Sequence, residues 1–265
     1  MKPDVAAFLE RGYARFAPDP GLTPWLDHAT PRALACAEDP GLRAAWLRHG
    51  GTWFAGVNVL PNDAEGRVAG GPALAGRAID MAVSLYGSCP LDPAQVSVCY
   101  PGYPRRDIGE SVAAHGFRAR RDAAHVDGLL PVGPERRRMM QEPHAFVLGL
   151  PLGKVDAGAS PLVVWEGSHR MMRAAFAGAL SDVPAEDWAE TDLTDVYHDA
   201  RRRAFDTCQR VELPGQRGES HLLHRLTLHG VAPWEPGAAA PPEGRAIVYF
   251  RPVCAGGPQA WLTLD

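Results

Sequence analysis

The 265-residue sequence predicts a mainly β fold, a sandwich or barrel with helices packed outside it. Helical periodicity dominates the first ninety residues, and short β-type runs separated by turn residues follow. The regular strand–helix alternation of a parallel α/β fold is absent, which favours the mainly β class. Contents of 46% hydrophobic and 22% charged residues are ordinary for a globular protein, and the chain is long enough to bury a core.

The N-terminal part of the sequence reads as helical support. Its first sixteen residues, MKPDVAAFLERGYARF, carry acids among apolar residues, which predicts an amphipathic helix and not a signal peptide. Apolar residues at spacings of three and four predict helices from Pro31 to His49 and from Ala73 to Tyr86. The intervening TWFAGVNVL is typical of a strand.

Five β-type runs follow residue 90. They are QVSVCY (95–100), HAFVLGLPL (144–152), SPLVVW (160–165), HLLHRLTLHG (221–230) and RAIVYF (245–250). A helical insertion at about 184–208 interrupts them. We therefore expect one domain over residues 1–265, in which 1–90 is mainly helical support and 91–265 forms the β core.

Charge and cysteine content indicate which partners and which redox compartment to expect. A formal net charge of −4 gives no indication of nucleic-acid or membrane binding, and no apolar run is long enough for a transmembrane helix. The five cysteines are odd in number and contain no CxxC pair, so we expect a reducing, cytoplasmic setting.

The stretch AAHVDGLLP, residues 123–131, contains the first candidate metal ligands, His125 and Asp127. Two residues that are two apart on a strand point to the same face. This composition produces roughly one His-x-acid triplet by chance, so the pair needs a third ligand. A histidine from a distant strand would complete a facial triad of the kind used by non-haem Fe(II) oxygenases.

The run HLLHRLTLHG offers the candidates for that third ligand. Interpreted as one strand, it places His221 and His229 on one face and His224 on the other, almost wholly apolar face. We therefore expect His224 to be a buried structural histidine. His229 lies at the end of the run beside Gly230, where the mouth of a site would be. The alternative for His229 is a solvent-exposed histidine at a turn.

Four segments, in chain order, resemble the phytanoyl-CoA dioxygenase family: HVDG, SPLVVWEGSH, GESHLLHRLTLHGVAPW and GRAIVYF. The resemblance covers residues 95 to 251, and residues 1–90 match only as a generic helical region. Members of this family are Fe(II)- and 2-oxoglutarate-dependent oxygenases built on a double-stranded β-helix, a jelly-roll, cupin-like barrel. The resemblance thus implies that fold with a helical N-terminal region.

The resemblance also implies roles for individual residues. His125, Asp127 and His229 match the iron ligands, and Arg245 matches the arginine that binds the distal carboxylate of 2-oxoglutarate. Two departures, Glu166 for the usual proline and Glu219 for the usual aspartate, touch no ligand. Because Asp127 fills the carboxylate position, we expect hydroxylation and not halogenation.

A further cofactor contact is expected from QVSVCY, whose alternate residues include Gln95 and Ser97 on a small, polar face. Such a face suits a barrel interior that holds a polar cofactor, and Gln95 is the candidate. The alternative is a polar face turned to solvent on an edge strand.

The function expected from these observations is that of an Fe(II)- and 2-oxoglutarate-dependent dioxygenase, a hydroxylase whose partners are a small-molecule substrate, 2-oxoglutarate and dioxygen. We expect no nucleic-acid or membrane partner, and the substrate and oligomeric state stay open. The alternative is a non-catalytic jelly-roll protein that binds a small molecule or a metal.

Several other residues have two interpretations. His144, Trp165 and Trp234 could line a pocket, but core positions are expected. The arginine-rich segments 103–121 and 135–138 could form a lid that favours anionic substrates, or a solvated charged surface.

The last sequence-based expectation concerns the two arginines at the ends of RAIVYFRP. If HLLHRLTLHG and RAIVYFRP pair as consecutive antiparallel strands, Arg245 lies level with His229. Arg251 would then lie about 20 Å away, at roughly 3.3 Å per residue.

Overall fold

A computed structural model describes residues 3–264 of the chain. The helices are α1 (Pro3–Arg11), α2 (Thr23–Glu38), α3 (Pro40–Trp46), α4 (Arg77–Tyr86), α5 (Val112–Arg120), α6 (Ser168–Leu180), α7 (Thr194–Thr207) and α8 (Gly257–Thr263), with 3-10 turns at Pro20–Leu22 and Ala185–Glu190. The strands are β1 (Tyr13–Phe16), β2 (Leu47–Arg48), β3 (Trp53–Leu60), β4 (Ala94–Cys99), β5 (Leu129–Val132), β6 (Arg137–Met140), β7 (Phe146–Pro151), β8 (Leu162–Trp165), β9 (Arg210–Leu213), β10 (Ser220–His224), β11 (His229–Val231) and β12 (Arg245–Phe250).

Two antiparallel sheets form the β core. The major sheet has seven strands in the order β1-β10-β7-β12-β4-β3-β2, and the minor sheet has three in the order β11-β8-β9. A bridge between His125 and His229 adds the segment around His125 to the edge of the minor sheet. From β4 onward the chain crosses repeatedly between the two sheets, which is the winding of a jelly roll.

The outer face of the major sheet packs against the N-terminal helices. Val98 of β4 and Phe250 of β12 are fully buried there, in one apolar cluster with Trp25 of α2. The ring of Phe250 meets that of Trp25 edge-on, with centroids 5.7 Å apart. The predicted alternation of QVSVCY is confirmed, because its valines enter this cluster while its polar residues face the barrel interior.

The predicted helix from Pro31 to His49 is wrong in its bounds. Pro31 lies inside α2, which ends at Glu38, and a new helix starts at Pro40. The side chain of Asp39 accepts a hydrogen bond from the Leu42 amide at 2.8 Å and so caps the second helix. The apolar spacing suggests one continuous helix, but this capping residue and the following proline favour the start of a second helix there.

The interpretation of HLLHRLTLHG as one strand is also wrong. Residues up to His224 form β10 in the major sheet, and the segment from His229 forms β11 in the minor sheet. Between them the chain turns: the Thr227 amide donates to the His224 carbonyl at 2.8 Å, and the Thr227 hydroxyl donates to the Gly12 carbonyl at 2.7 Å. These bonds satisfy the polar groups of the turn, which apolar periodicity alone does not reveal.

Helices α6 and α7 cover the minor sheet from outside, with Phe176 and Tyr197 in its apolar cluster. The helical region between β8 and β9 begins at Ser168, earlier than the predicted insertion. None of the helices within residues 3–264 has the length and apolar character needed to cross a membrane.

Candidate metal centre and its cavity

Three side chains that the sequence singles out converge at one end of the barrel. His125, Asp127 and His229 each offer one ligand atom, and these atoms lie within 4.8 Å of one another. The Nε2 atom of His125 is 3.3 Å from Asp127 Oδ1, and Nε2 of His229 is 3.8 Å from Oδ2. The backbones of His125 and His229 are bridged, because each amide donates to the other's carbonyl. This bridge holds the two histidines side by side.

Hydrogen bonds hold both histidine rings with Nε2 toward Asp127. The Nδ1 atom of His125 contacts the Ala123 carbonyl at 3.1 Å, and that of His229 contacts the Thr227 carbonyl at 2.9 Å. A carbonyl oxygen can only accept, so Nδ1 carries the proton in each neutral ring. The lone pair is then on Nε2, the atom that faces Asp127. Histidine ligands are commonly fixed in this way by a bond to the other ring nitrogen.

The charges at the site also suit a cation. Burial alone would raise the pKa of Asp127, but the positive charge of Arg251 opposes this, and the pKa lies well below its usual range. Burial lowers the pKa of His229 to about 4. At neutral pH the site therefore contains an ionised carboxylate and a neutral imidazole, the forms that bind divalent metals.

An inner cavity of about 210 Å³ opens over the three residues, between the two sheets. Gln95, Ser97 and Tyr249 line it from the major sheet, together with Trp53, whose indole donates to the Ser97 hydroxyl at 3.0 Å. A Cβ atom at Gly149 would lie 2.8 Å from the Tyr249 ring, so the absence of a side chain there makes room for that ring.

Arg245 is buried in the same barrel, at the other end of β12 from Arg251 and the candidate metal ligands. Its side chain is only 3% exposed, and within residues 3–264 neither terminal nitrogen has a hydrogen-bond partner. The Tyr249 hydroxyl is also buried without a partner. Burial raises the pKa of Tyr249, and the positive charge of Arg245 opposes that rise. The guanidinium is therefore near Tyr249, a residue of the cavity wall. A carboxylate would satisfy these unpaired groups.

The expected placement of the two arginines along β12 is wrong. Arg251, and not Arg245, lies beside the candidate metal ligands, with its Nη1 atom 3.6 Å from Asp127 Oδ2. The expectation assumed that two consecutive strands pair directly, but β7 lies between β10 and β12, and β11 belongs to the other sheet. Position along β12 therefore could not be inferred from strand order.

The remaining candidates are placed as follows. Trp165 and Trp234 are buried in apolar clusters and do not line the inner cavity. His224 lies outside the ligand group and accepts a hydrogen bond from the Leu226 amide at 3.1 Å, as a structural histidine would. His144 lines a second, outer cavity of about 340 Å³, which shares Tyr249 and Arg251 with the inner one.

Sequence reasoning missed Trp53, Tyr249 and Arg251 as cavity residues. For Tyr249 and Arg251 a signal existed, because both lie on the same alternating face of RAIVYFRP as Arg245. Trp53 lies in the predicted strand TWFAGVNVL. Its place at the cavity follows from the pairing of that strand with β4, which only the structure gives.

The arginine-rich segment 103–121 is fastened to the turn before β3. Asp107 accepts hydrogen bonds from the amides of His49 and Gly50, at 3.0 and 2.6 Å. His49, Asp107 and Glu110 also form a second group with metal-ligating atoms, but Glu110 already pairs with Arg118 at 2.8 Å. These contacts account for the group without a metal.

Comparisons with known proteins concern the fold. No protein-family model and no curated protein matches this sequence. Among solved structures, the epimerase SnoN in complex with Fe3+, alpha ketoglutarate and nogalamycin RO is similar, with a TM-score of 0.52 and 16% identity over 95% of this chain and 82% of that one. EctD from S. alaskensis with 2-oxoglutarate and 5-hydroxyectoine has a TM-score of 0.50 and 17% identity over 97% and 77%. The expected jelly-roll fold is thereby confirmed.

Proposed function

We propose that this protein is an Fe(II)- and 2-oxoglutarate-dependent dioxygenase that hydroxylates a C–H bond of a small molecule. The observation that carries the proposal is the group formed by His125, Asp127 and His229, with both Nε2 atoms directed at the carboxylate in a cavity. Two imidazoles and one carboxylate are the donor set of non-haem Fe(II) oxygenases.

Arg245 supports the second cofactor. A buried guanidinium whose terminal nitrogens have no hydrogen-bond partner among residues 3–264 is costly, and the distal carboxylate of 2-oxoglutarate matches its planar fork. We assign Arg245 that role. Gln95, on the cavity wall beside Tyr249, is proposed as a further polar contact of the cofactor.

In this proposal, the residues of the chain bind the metal and 2-oxoglutarate, orient the ligand atoms and exclude water. Bound Fe(II) would supply activation of dioxygen, coupled to conversion of 2-oxoglutarate to succinate and carbon dioxide, with one oxygen atom entering succinate and the other converting R–H to R–OH. The Nδ1 bonds of His125 and His229 hold their Nε2 atoms in place. Val147 and Leu162 form apolar cavity walls that limit water near the reacting C–H bond.

Three finer assignments belong to the same proposal. The ordered motifs and the ligand positions support membership in the phytanoyl-CoA dioxygenase family. The five cysteines are free, which agrees with the reducing cytoplasm that we propose as the location. We propose a small-molecule substrate and dioxygen as reaction partners, with no nucleic-acid or membrane partner.

Anaerobic titration tests the cofactor assignment. When 2-oxoglutarate is added to the Fe(II) protein, a metal-to-ligand charge-transfer absorbance should develop. Arg245→Lys should weaken 2-oxoglutarate binding about 10–100-fold, because lysine cannot replace the bidentate contact. Arg43→Lys is a matched control, since its guanidinium contacts the Ala37 carbonyl and the Tyr100 hydroxyl on the outer side of the sheet. Unaltered affinity in Arg245→Lys would remove the cofactor role from Arg245.

Succinate formation separates this proposal from its rival, a jelly-roll protein that binds a metal or small molecule without turnover. The oxygenase should convert 2-oxoglutarate to succinate in air with added Fe(II), and a candidate substrate should accelerate it. Binding of Fe(II) without the charge-transfer absorbance and without succinate would favour the rival.

A further inference from the structure

Arg251 follows β12 directly and lies where the inner and outer cavities meet. It lines both cavities, and its side chain is 15% exposed. Among residues 3–264, the carboxylate nearest to its guanidinium is that of Asp127, at 3.6 Å. That separation exceeds the 2.7–2.9 Å of a charge-assisted hydrogen bond, so the donors of Arg251 are not used by Asp127.

A paired arginine of the same chain shows the difference. Arg210 binds Asp122 through two nitrogens, at 2.7 and 2.9 Å, which is the usual fork geometry. Arg251 makes no such bond to any residue from 3 to 264. If Asp127 shares its charge with a metal, its attraction for Arg251 weakens further. Arg251 thus presents a positive charge and unused N–H groups to the space between the cavities.

The surroundings of Arg251 restrict what can bind there. Toward the interior, the inner cavity has apolar walls that include Val57, Val147 and Leu162. Toward the outside, the outer cavity contains Glu142, which lies 3.5 Å from His144. The hydrogen bond from His144 lowers the pKa of Glu142 and the charge of Arg251 adds to this, so Glu142 is ionised at neutral pH.

Asp92 adds a second carboxyl group to the outer cavity. Together with Glu142 it opposes the entry of a group with several negative charges. The guanidinium favours one carboxylate, and the inner walls favour an apolar body beyond it. Arginine pairs with both carboxylate and phosphate groups. The acidic neighbours repel a phosphate more strongly, because it carries more negative charge than a carboxylate.

We propose that Arg251 binds the single carboxylate of the substrate, and that the substrate is a small monocarboxylate with an apolar body. A polyanionic substrate such as a phosphorylated acyl carrier group is disfavoured. The inference rests on the proposed oxygenase function, because it places this carboxylate beside the candidate metal ligand Asp127 and leaves Arg245 to 2-oxoglutarate.

Anaerobic calorimetry of the Fe(II) protein saturated with 2-oxoglutarate tests the inference. The probes are hexanoate and hexanamide, which share a pentyl chain, and hexyl phosphate, whose alkyl chain is one carbon longer. Hexanoate should bind wild type about 10–100-fold more tightly than hexanamide does, and Arg251→Gln should remove this difference. Hexyl phosphate should bind no more tightly than hexanoate. Arg48→Gln, a change at an exposed arginine on β2, is the control and should keep the preference.

Each alternative has its own outcome. Equal binding of hexanoate and hexanamide by wild type, or unchanged hexanoate affinity in Arg251→Gln, overturns the inference. Tighter binding of hexyl phosphate overturns the monocarboxylate class. Loss of iron in Arg251→Gln would identify Arg251 as a positioning residue for Asp127 instead. Failure of the proposed function appears earlier and separately, as a missing charge-transfer absorbance in wild type before any probe is added.

Discussion

The two faces of the major sheet use the same strands for different purposes. On the outer face, Val96, Val98 and Phe250 are fully buried against the N-terminal helices. On the inner face, Tyr249 and Arg245 are also buried, but their polar atoms lack partners within residues 3–264. The outer face is filled by the protein itself, whereas the inner face keeps polar groups that are available to a ligand.

This difference separates stability from function along a single strand. Burying a large apolar side chain contributes about 1.5–3 kcal/mol to folding, whereas a buried polar group without a partner costs about 1–3 kcal/mol. The outer residues of β12 therefore stabilise the fold. The inner residues reduce its stability and are compensated when a ligand binds. Substitutions on opposite faces should affect different measurements.

The largest expected effect on stability is at the outer face. Phe250→Ala removes a fully buried ring that contacts Trp25 and should lower the free energy of unfolding by about 3–5 kcal/mol. Its neighbour on the inner face provides the matched control. Tyr249→Phe removes a buried hydroxyl without a partner, so it should cause no loss of stability and should raise the free energy of unfolding by up to about 1–3 kcal/mol. Urea unfolding measures both, and equal losses would contradict the division between the faces.

The next effect concerns the metal and two histidines of the segment HLLHRLTLHG. His229→Ala removes a proposed ligand, and Fe(II) affinity should fall by more than the ~10–100-fold typical of losing an outer-sphere partner. His224→Ala should keep the Fe(II) affinity and lose stability, because that ring is buried outside the ligand group. Iron content after dialysis reports the outcome. Loss of iron in His224→Ala alone would reverse the ligand assignment.

The local sequence pattern predicted the faces of strands well. The alternation in QVSVCY correctly separates cavity residues such as Ser97 from core residues such as Val98. Side-chain alternation is a local property of an extended backbone, so it is visible without knowledge of the partner strand. The same reasoning placed His224 apart from His229, although the two belong to different strands.

Strand pairing could not be predicted in the same way. The error at Arg251 arose because the chain between Arg225 and Leu228 turns from one sheet to the other, and β7 separates β10 from β12. That turn is held by contacts distant in sequence, such as the Thr227 hydroxyl bond to the Gly12 carbonyl. Long-range contacts of this kind leave no periodic signal. The resemblance therefore indicated the candidate ligands, whereas the shape of the cavity required the structure.

A third class of buried polar group, away from both faces, gives the smallest expected effect. His169 of α6 contacts the Leu9 carbonyl through Nε2 at 3.0 Å, and burial lowers its pKa to about 4. An unfolded histidine titrates near pH 6.5, so the folded state disfavours the protonated ring. The stability contributed by the neutral ring is fully present above about pH 6.5 and is lost as the pH falls toward 4. This loss amounts to about 2 kcal/mol at pH 5.

In His169→Gln, which keeps a donor for Leu9, the loss of stability between pH 7.5 and pH 5 should be smaller by about that amount, as measured by urea unfolding. His224, whose pKa burial also lowers, remains in the variant, so part of the pH dependence should persist. An identical loss in variant and wild type would show that the ring of His169 is not held neutral by the fold.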